Sequence, residues 1–306
     1  TTVWQDDKLD QQCIVEKVVP QAKYVRHYVE TDEANVSKSR KTTLDIQYLF
    51  LQVAELVHSK KPFVVKASHG ANSNAIFAFC DPSKDSYTLK GATSALQKAL
   101  KSEISRFENW QIQKVEPGVV IQECYDSIQT EGSGPLEAKI LTVWGRVVGA
   151  TLNTRPKELW MLRSGEIWLW NGGKLSAVMK KALPHIKESL KTQWPQMRDA
   201  AEQIAKSFGN DELRVDFFFG NPDGPRLNEV TYMGGAHRYP KPLQKALASA
   251  FIDGYASRKD ECSKRADSDT CRTPKLPAGC HDYGGASGFS PRLSLIGLLL
   301  FVVLRA

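Results

Sequence analysis

Several chemistries are excluded by what this sequence does not contain. It has no Cys-x-x-Cys pair, and without one a structural zinc site has no basis in the sequence. No serine, histidine and aspartate, and no cysteine and histidine, fall at a spacing from which a nucleophilic centre can be argued. Arginines nowhere run interleaved with aromatics, so no nucleic-acid partner is expected. There is no internal repeat, and no apolar run reaches the roughly 18–20 residues needed to span a bilayer. Nor does the chain open with methionine: Thr1 begins either a fragment or a chain that has lost an N-terminal segment.

What is present reads as an ordinary folded protein. The 306 residues are 42% hydrophobic and 25% charged, enough for one large domain or two lobes with a sizeable core. A net charge of +7 favours an anionic partner such as a nucleotide, a polyanionic sugar or a membrane surface, with a merely basic surface as the alternative. Of the six cysteines, Cys13, Cys80 and Cys124 are scattered and are expected to be ordinary buried thiols. Cys262, Cys271 and Cys280 recur in a polar C-terminal stretch.

Periodicity predicts a helix over 43–58, a strand at 62–66, a small-residue loop over 67–74 and a second strand at 75–79. A short β-like run is expected from Ala22 to Val29. A helix is expected over 91–108, a strand over 118–125, and strands at 137–144 and 146–152 turned through Gly145-Arg146. Trp160, Trp168 and Trp170 fall in a less regular region. A long helix over 184–208 ends at a Gly209 cap. A hairpin follows, 213–219 and 225–230, turned through Asn221-Pro222-Asp223-Gly224, and then a helix from about Leu243 to Ser257.

The hairpin carries the chemistry. In Leu213-Arg214-Val215-Asp216-Phe217-Phe218-Phe219 and Leu227-Asn228-Glu229-Val230-Thr231, two carboxylates, Asp216 and Glu229, lie near the ends of adjacent strands. Hard cations take such oxygen ligands. Arg214, two residues before Asp216, shares its face and can clamp phosphate oxygens or a developing oxyanion.

These residues resemble the magnesium-binding signature of ATP-grasp enzymes, and most closely that of D-alanine–D-alanine ligases: R-x-D-F-F, a turn, then L-N-E. The thirteen-residue interval from Asp216 to Glu229 matches that family's spacing. The sequence departs where the family has asparagine, which falls at Thr231, and where its Pro-Gly becomes Gly234-Gly235. A Glu-x-Thr ending is similar to the TupA-like (teichuronopeptide-biosynthesis) branch. The resemblance implies Asp216, Glu229 and Thr231 as metal ligands for Mg²⁺, and Arg214 as the residue that steadies acyl-phosphate chemistry.

Upstream elements agree in order. The run from Phe63 to Gly70 is similar to the strand and phosphate loop of ATP-grasp proteins, with Lys66, His69 and Gly70 as ATP-binding residues. Val119–Tyr125 resembles the strand between lobes, where backbone groups around Glu123 and Tyr125 would read adenine. Glu137 stands where the family keeps an acidic residue for the ribose hydroxyls, and Lys139 fits the Asp-x-Lys element of the TupA-like branch. For Glu137 and Lys139 the alternative is an ordinary exposed strand face. His237 follows Gly234-Gly235 and is a candidate for lining the substrate pocket; for it and for His69 the alternative is a plain polar loop residue.

The resemblance therefore implies an α+β ATP-grasp fold of two α+β lobes with the nucleotide between them. Its expected partition is a short N-terminal region 1–60, an ATP-grasp domain 61–257 with lobes of about 61–125 and 126–257, a polar linker 258–292 and an apolar tail 293–306. The implied reaction is Mg-ATP-dependent activation of a small-molecule carboxylate for attack by an amine or other nucleophile. Alternatives are an ATP-grasp kinase of a small molecule or sugar, and a degenerate nucleotide-binding module. Leu293 to Leu304 is apolar apart from Ser294 and follows a cluster of small residues, which reads as a GPI signal, a marginal membrane anchor or an incidental terminus. A cytoplasmic, a membrane-associated and a GPI-anchored form all remain open.

Overall fold

The computed structural model describes residues 11, 15–17, 19, 22, 39–40, 43–67, 75–102, 118–126, 129–130, 134–153, 159–170, 175–232 and 239–264. Over these the fold is α+β, with two antiparallel sheets that each build a core of their own.

The smaller sheet holds β1 (Ser39–Arg40), β2 (Phe63–Ala67), β3 (Ile76–Phe79) and β4 (Gly118–Glu123) in the order β1-β4-β2-β3. Helices α1 (Thr43–His58) and α2 (Leu89–Lys101) cover one face of it. Strand alternation decides which side chains they cover: Phe63, Val65 and Ala67 of β2 and Val119 and Ile121 of β4 pack with Leu49, Val53 and Leu96. Lys66 and Gln122 are therefore left on the opposite face. Helix α2 starts where Thr88 accepts a bond from the Gly91 amide at 3.1 Å, two residues before the expected start. It ends at Lys101, short of 108, and residues 103–117 lie outside the described residues.

The larger sheet runs β10-β9-β8-β7-β11-β12. Its strands are β7 (Glu137–Val143), β8 (Arg146–Leu152), β9 (Leu159–Leu162), β10 (Ile167–Leu169), β11 (Glu212–Phe218) and β12 (Arg226–Tyr232). A two-stranded ribbon of β5 (Gln129–Thr130) and β6 (Gly134–Pro135) precedes it. Helix α3 (Ala177–Phe208) packs on one face through Ile186, Trp194, Met197, Ile204 and Phe208, against Val215 and Phe217 of β11. Helix α4 (Lys241–Lys264) covers part of the other face, where Leu243 and Leu247 meet Leu141, Val143 and Trp160. The part of that face that α4 does not reach carries the polar residues described below.

Four expectations are corrected. The β7–β8 turn is Trp144-Gly145, one residue earlier than expected, because Val143 pairs with Arg146. Both turn residues have positive φ, 52° and 72°, as a two-residue hairpin requires. Trp144 tolerates this because its indole donates to the Phe251 carbonyl at 3.2 Å, over a bare Gly254. The tryptophan region is regular: β9 and β10 form a hairpin with Trp160 stacked on Trp168 at 6.1 Å. Helix α3 begins well before Pro184, where Ser176 Oγ accepts from the Met179 amide at 3.2 Å, and Pro184 and Pro195 lie within it. Gly209 ends it in the left-handed region, as expected.

The fourth correction is a disulfide. Cys80 and Cys124 are bonded, with Cα atoms 5.6 Å apart across 44 residues of sequence. Phe63 pairs with both Phe79 and Glu123, so the next residues of β3 and β4 converge beside Pro62 at the start of β2. Cys13, Cys271 and Cys280 lie outside the described residues.

The described residues before 61 divide between the two cores. Helix α1 belongs to the small core, whereas Val15, Val19 and Ala22 belong to the large one. The carboxamide of Gln11 donates to the Val230 carbonyl at 2.7 Å and accepts its amide at 3.1 Å, completing the β12 edge as a strand would. Helix α4 continues past residue 258 to Lys264, so the expected polar linker begins as helix. The β-like run after Ala22 and the apolar stretch 293–304 lie outside the described residues; among the described residues no helix is long and apolar enough to cross a membrane.

Closing a loop of 44 residues removes unfolded-state entropy worth about 4 kcal/mol in the chain-entropy model. Reduction, or a Cys80→Ser/Cys124→Ser double variant, should lower the urea midpoint accordingly; an unchanged midpoint would contradict this role of the bridge.

Candidate functional site

Antiparallel register brings the site together. On β11, Asp216 stands opposite Lys139 of β7 on one side and Glu229 of β12 on the other. Arg214 stands opposite Thr231. Because Leu213, Val215 and Phe217 turn into the α3 core, Arg214 and Asp216 point to the other face, and Glu137 and Lys139 of β7 share it.

Asp216 has no solvent exposure. Its Oδ1 accepts from Arg214 Nε at 2.8 Å, and its Oδ2 accepts from Arg214 Nη2 at 2.9 Å and Lys139 Nζ at 2.7 Å. Lys139 also pairs with Glu137 Oε2 at 2.8 Å. Arg214 Nη2 donates further to Thr231 Oγ1 at 3.1 Å. Burial alone would lower the Lys139 pKa, but the Asp216 and Glu137 carboxylates outweigh it and hold the ammonium above its ordinary range. The same balance, again led by burial against Asp216, raises Arg214. Both side chains are thus held towards their charged forms.

A bulge at the β11–β12 register shift between Asp216 and Phe217 leaves Asn228 as the extra residue. That turns the Asn228 side chain towards the site, where its Nδ2 donates to Glu137 Oε1 at 2.6 Å. Its Oδ1 accepts from Lys66 Nζ at 3.2 Å, which joins the small sheet to the large one. Lys66 and Glu137, expected at exposed or loop-end positions, are both buried. On the small sheet, Gln122 is 4% exposed and its Oε1 has no hydrogen-bond partner among the described residues. It lies on the Lys66 face and is an acceptor available to a ligand.

The lobes also meet at the end of β4. The Tyr125 ring stacks on Phe218 at 5.6 Å; its hydroxyl donates to the Gly224 carbonyl at 2.9 Å and accepts from the Asn221 amide at 3.2 Å. Burial pushes this phenol up to about 12, so it stays protonated as a donor. Asn221 Nδ2 donates to the Asp126 carbonyl at 2.8 Å. The segment from Glu123 to Asp126 is thereby held against the β11–β12 turn.

Among the sequence-predicted residues, the structure bonds Glu137, Lys139, Arg214, Asp216 and Thr231 into one cluster, joins Lys66 to it through Asn228, and sets Glu229 in register beside Asp216; Tyr125, next to Glu123, is bonded separately to the β11–β12 turn. Two details differ from expectation. Thr231 Oγ1 is engaged by Arg214, and Glu137 is engaged by Lys139 and Asn228. His69, Gly70 and His237 lie outside the described residues. Asn228 and Gln122 were not singled out by sequence: a bulge changes the facing of one residue without a local signal, and Gln122 sits in an otherwise apolar strand.

No family model matches the chain, and no curated protein matches it. Among solved structures it is similar to D-alanine–D-alanine ligase from Bacillus anthracis complexed with ATP, at 14% identity and a TM-score of 0.41, covering 84% of this chain and 66% of that one. It is also similar to the ATP-grasp ligase PsnB with its minimal precursor, at 12% identity and a TM-score of 0.35, covering 71% and 55%. A third is the biotin carboxylase domain of 2-oxoglutarate carboxylase from Hydrogenobacter thermophilus with MgADP, at 11% identity and a TM-score of 0.41, covering 80% and 45%. The chain therefore spans about two thirds or less of each of these neighbours. Likenesses at this level assign no activity; what bears on nucleotide chemistry is the geometry above.

Breaking a buried pair by removing one charge typically costs about 3–5 kcal/mol. Asp216→Asn should destabilise the chain by that order in chemical denaturation, because two half-buried cations lose their shared, fully buried counter-ion. A change below about 1 kcal/mol would show that the cluster is solvated and not buried.

Proposed function

We propose that this chain is an ATP-grasp enzyme that binds Mg-ATP between its two sheets and activates a carboxylate for ligation. The observation that carries the reading is the joining of the two sheets at one polar cluster, through Lys66 on one and Asn228, Glu137, Lys139, Asp216 and Arg214 on the other. A partly buried mixture of cations and carboxylates costs stability, so its presence where the two sheets meet favours a functional role over a structural one.

The donor set fits a hard cation. Asp216, Glu229 and Thr231 supply only oxygens, and a carboxylate offers about four acceptor positions, of which Asp216 uses three. When bound, magnesium would neutralise charge on the β- and γ-phosphates and orient them.

The chain's own residues supply the rest. Lys66 reaches out of β2 as a point charge for the phosphates. The unpartnered Gln122 oxygen can accept from the adenine amino group, beside the backbone of Glu123 and Tyr125. Arg214 binds Asp216 through Nε and Nη2, which leaves its Nη1 hydrogens for an incoming anion. In the reaction a substrate carboxylate oxygen attacks the γ-phosphorus and ADP leaves. An amine or other nucleophile then attacks the acyl carbon of the acyl phosphate, losing a proton as inorganic phosphate departs. Arg214 is placed to stabilise the oxyanion formed on the way. Positioning and electrostatics carry this chemistry, as in phosphoryl transfer generally.

The test is a metabolite screen coupled to magnesium-dependent ADP release, with products weighed by mass spectrometry. An amide product fits a ligase, whereas a phosphorylated alcohol would make the chain a kinase. Glu229→Gln should abolish ADP release while the chain stays folded, because a neutral amide no longer offsets a divalent charge. Lys66→Met should weaken calorimetric ATP binding by about 1–3 kcal/mol, as for a charge-assisted contact. Full activity in the first variant or unchanged affinity in the second would remove that residue from the site.

A further inference from the structure

We propose that the face carrying the polar cluster continues across the large sheet into a saccharide subsite formed by Thr151, Trp160 and Trp168, so that the acceptor this chain serves carries a sugar. The acceptor role rests on the Mg-ATP reading and deepens it by naming the substrate class.

Register lays the subsite out as one row. Glu229 pairs with Asp216, Asp216 with Lys139, Lys139 with Thr151, Thr151 with Trp160, and Trp160 with Trp168. Directly paired residues of an antiparallel sheet share a face, so these side chains all stand on the face that holds the cluster. The row crosses the whole sheet, from β12 at one edge to β10 at the other. At the ordinary spacing of strands, Thr151 is about 5 Å from Lys139 along the row and Trp168 about 14 Å. A ligand of more than one ring that starts at the cluster therefore reaches the sheet edge.

Two features set this row apart from plain packing. Thr151 is 6% exposed, and its hydroxyl has no hydrogen-bond partner among the described residues. Thr142, also buried, instead donates to the Leu213 carbonyl at 2.9 Å. A hydroxyl withdrawn from water costs stability unless a ligand supplies the missing partner. The second feature is a fixed aromatic platform. Trp160 is buried with Leu243 and Leu247 of α4, and its Nε1 donates to the Leu169 carbonyl at 3.1 Å. Trp168 stacks on it with 6.1 Å between ring centres, yet stays 44% exposed. An exposed tryptophan alone is ordinary. One held on a buried indole, in a row with an unpartnered hydroxyl, points to a ligand.

That ligand must match an apolar plate and a hydroxyl side by side. A pyranose ring does so: its C–H face lies on the indole while the hydroxyls at its edge donate and accept. A cation, the other usual partner of an exposed indole, is disfavoured in a row that contains Lys139 and in a chain of net charge +7.

The full chain is titrated with cellobiose, N,N′-diacetylchitobiose and maltose, and with L-phenylalaninamide as a sugar-free aromatic amine, by saturation-transfer difference NMR. At least one disaccharide is expected to bind, about tenfold more weakly in Trp168→Ala and about fivefold more weakly in Thr151→Val. The second variant keeps the side-chain shape and gives the reading should the first fail to fold by circular dichroism. No binding of any disaccharide, or unchanged affinity in the folded variants, would overturn the subsite. Tighter binding of L-phenylalaninamide than of every disaccharide would overturn its assignment to sugars. Calorimetry with Mg-ATP on the same protein separates the two readings. Disaccharide binding without Mg-ATP affinity would support the subsite and overturn both the acceptor role and the Mg-ATP reading. Mg-ATP binding without disaccharide binding would overturn the subsite alone.

Discussion

Asp216, fully buried and held by Lys139 and Arg214, is the interaction from which the rest of the site is organised. Taking a carboxylate out of water and half-burying two cations beside it is expensive, and replacing such clusters with well-packed apolar residues is often neutral or stabilising. The strands around it are otherwise apolar: Val215 and Phe217 on either side of Asp216 pack beneath it against α3. A sheet selected for stability alone would continue that pattern on both faces wherever a helix can cover them. Instead α4 covers only the Leu141 and Val143 end of β7, and the Glu137 and Lys139 end is kept polar.

The same cluster explains how the two sheets relate. Each has its own core, so their junction depends on a few directed contacts and not on shared apolar packing. Lys66 reaches Asn228, while Tyr125 is stacked on Phe218 and bonded to the 221–224 turn. The Cys80–Cys124 bridge fixes the end of β4 one residue before that tyrosine, so the segment entering the junction is held on both sides. Disulfides persist in oxidising compartments, and this one belongs to the strand that borders the proposed nucleotide site.

Much of this was legible in the sequence where local pattern and facing coincide. Arg214-x-Asp216 alternates against apolar neighbours, and the Asn-Pro-Asp-Gly turn returns the chain so that Glu229 pairs with Asp216. What escaped was decided across the sheets. The Cys80–Cys124 bond joins residues far apart in sequence that meet only because β2 lies between their strands. Asn228 faces the site because of a bulge, and an alternation count places it on the wrong side. The β9–β10 hairpin depends on a Trp160–Trp168 stack, which periodicity does not register. Burial of Glu137 and Lys66 likewise arises from the meeting of the two sheets.

The central claim is that Mg-ATP sits between the sheets and touches both. Hydrogen–deuterium exchange with and without Mg-ATP tests it most directly, because it resolves the two sheets separately in the intact chain. The account predicts slowed exchange both in 118–126 of the small lobe and in 226–231 of the large one, dependent on magnesium. Protection confined to one sheet, or none in either, would contradict it.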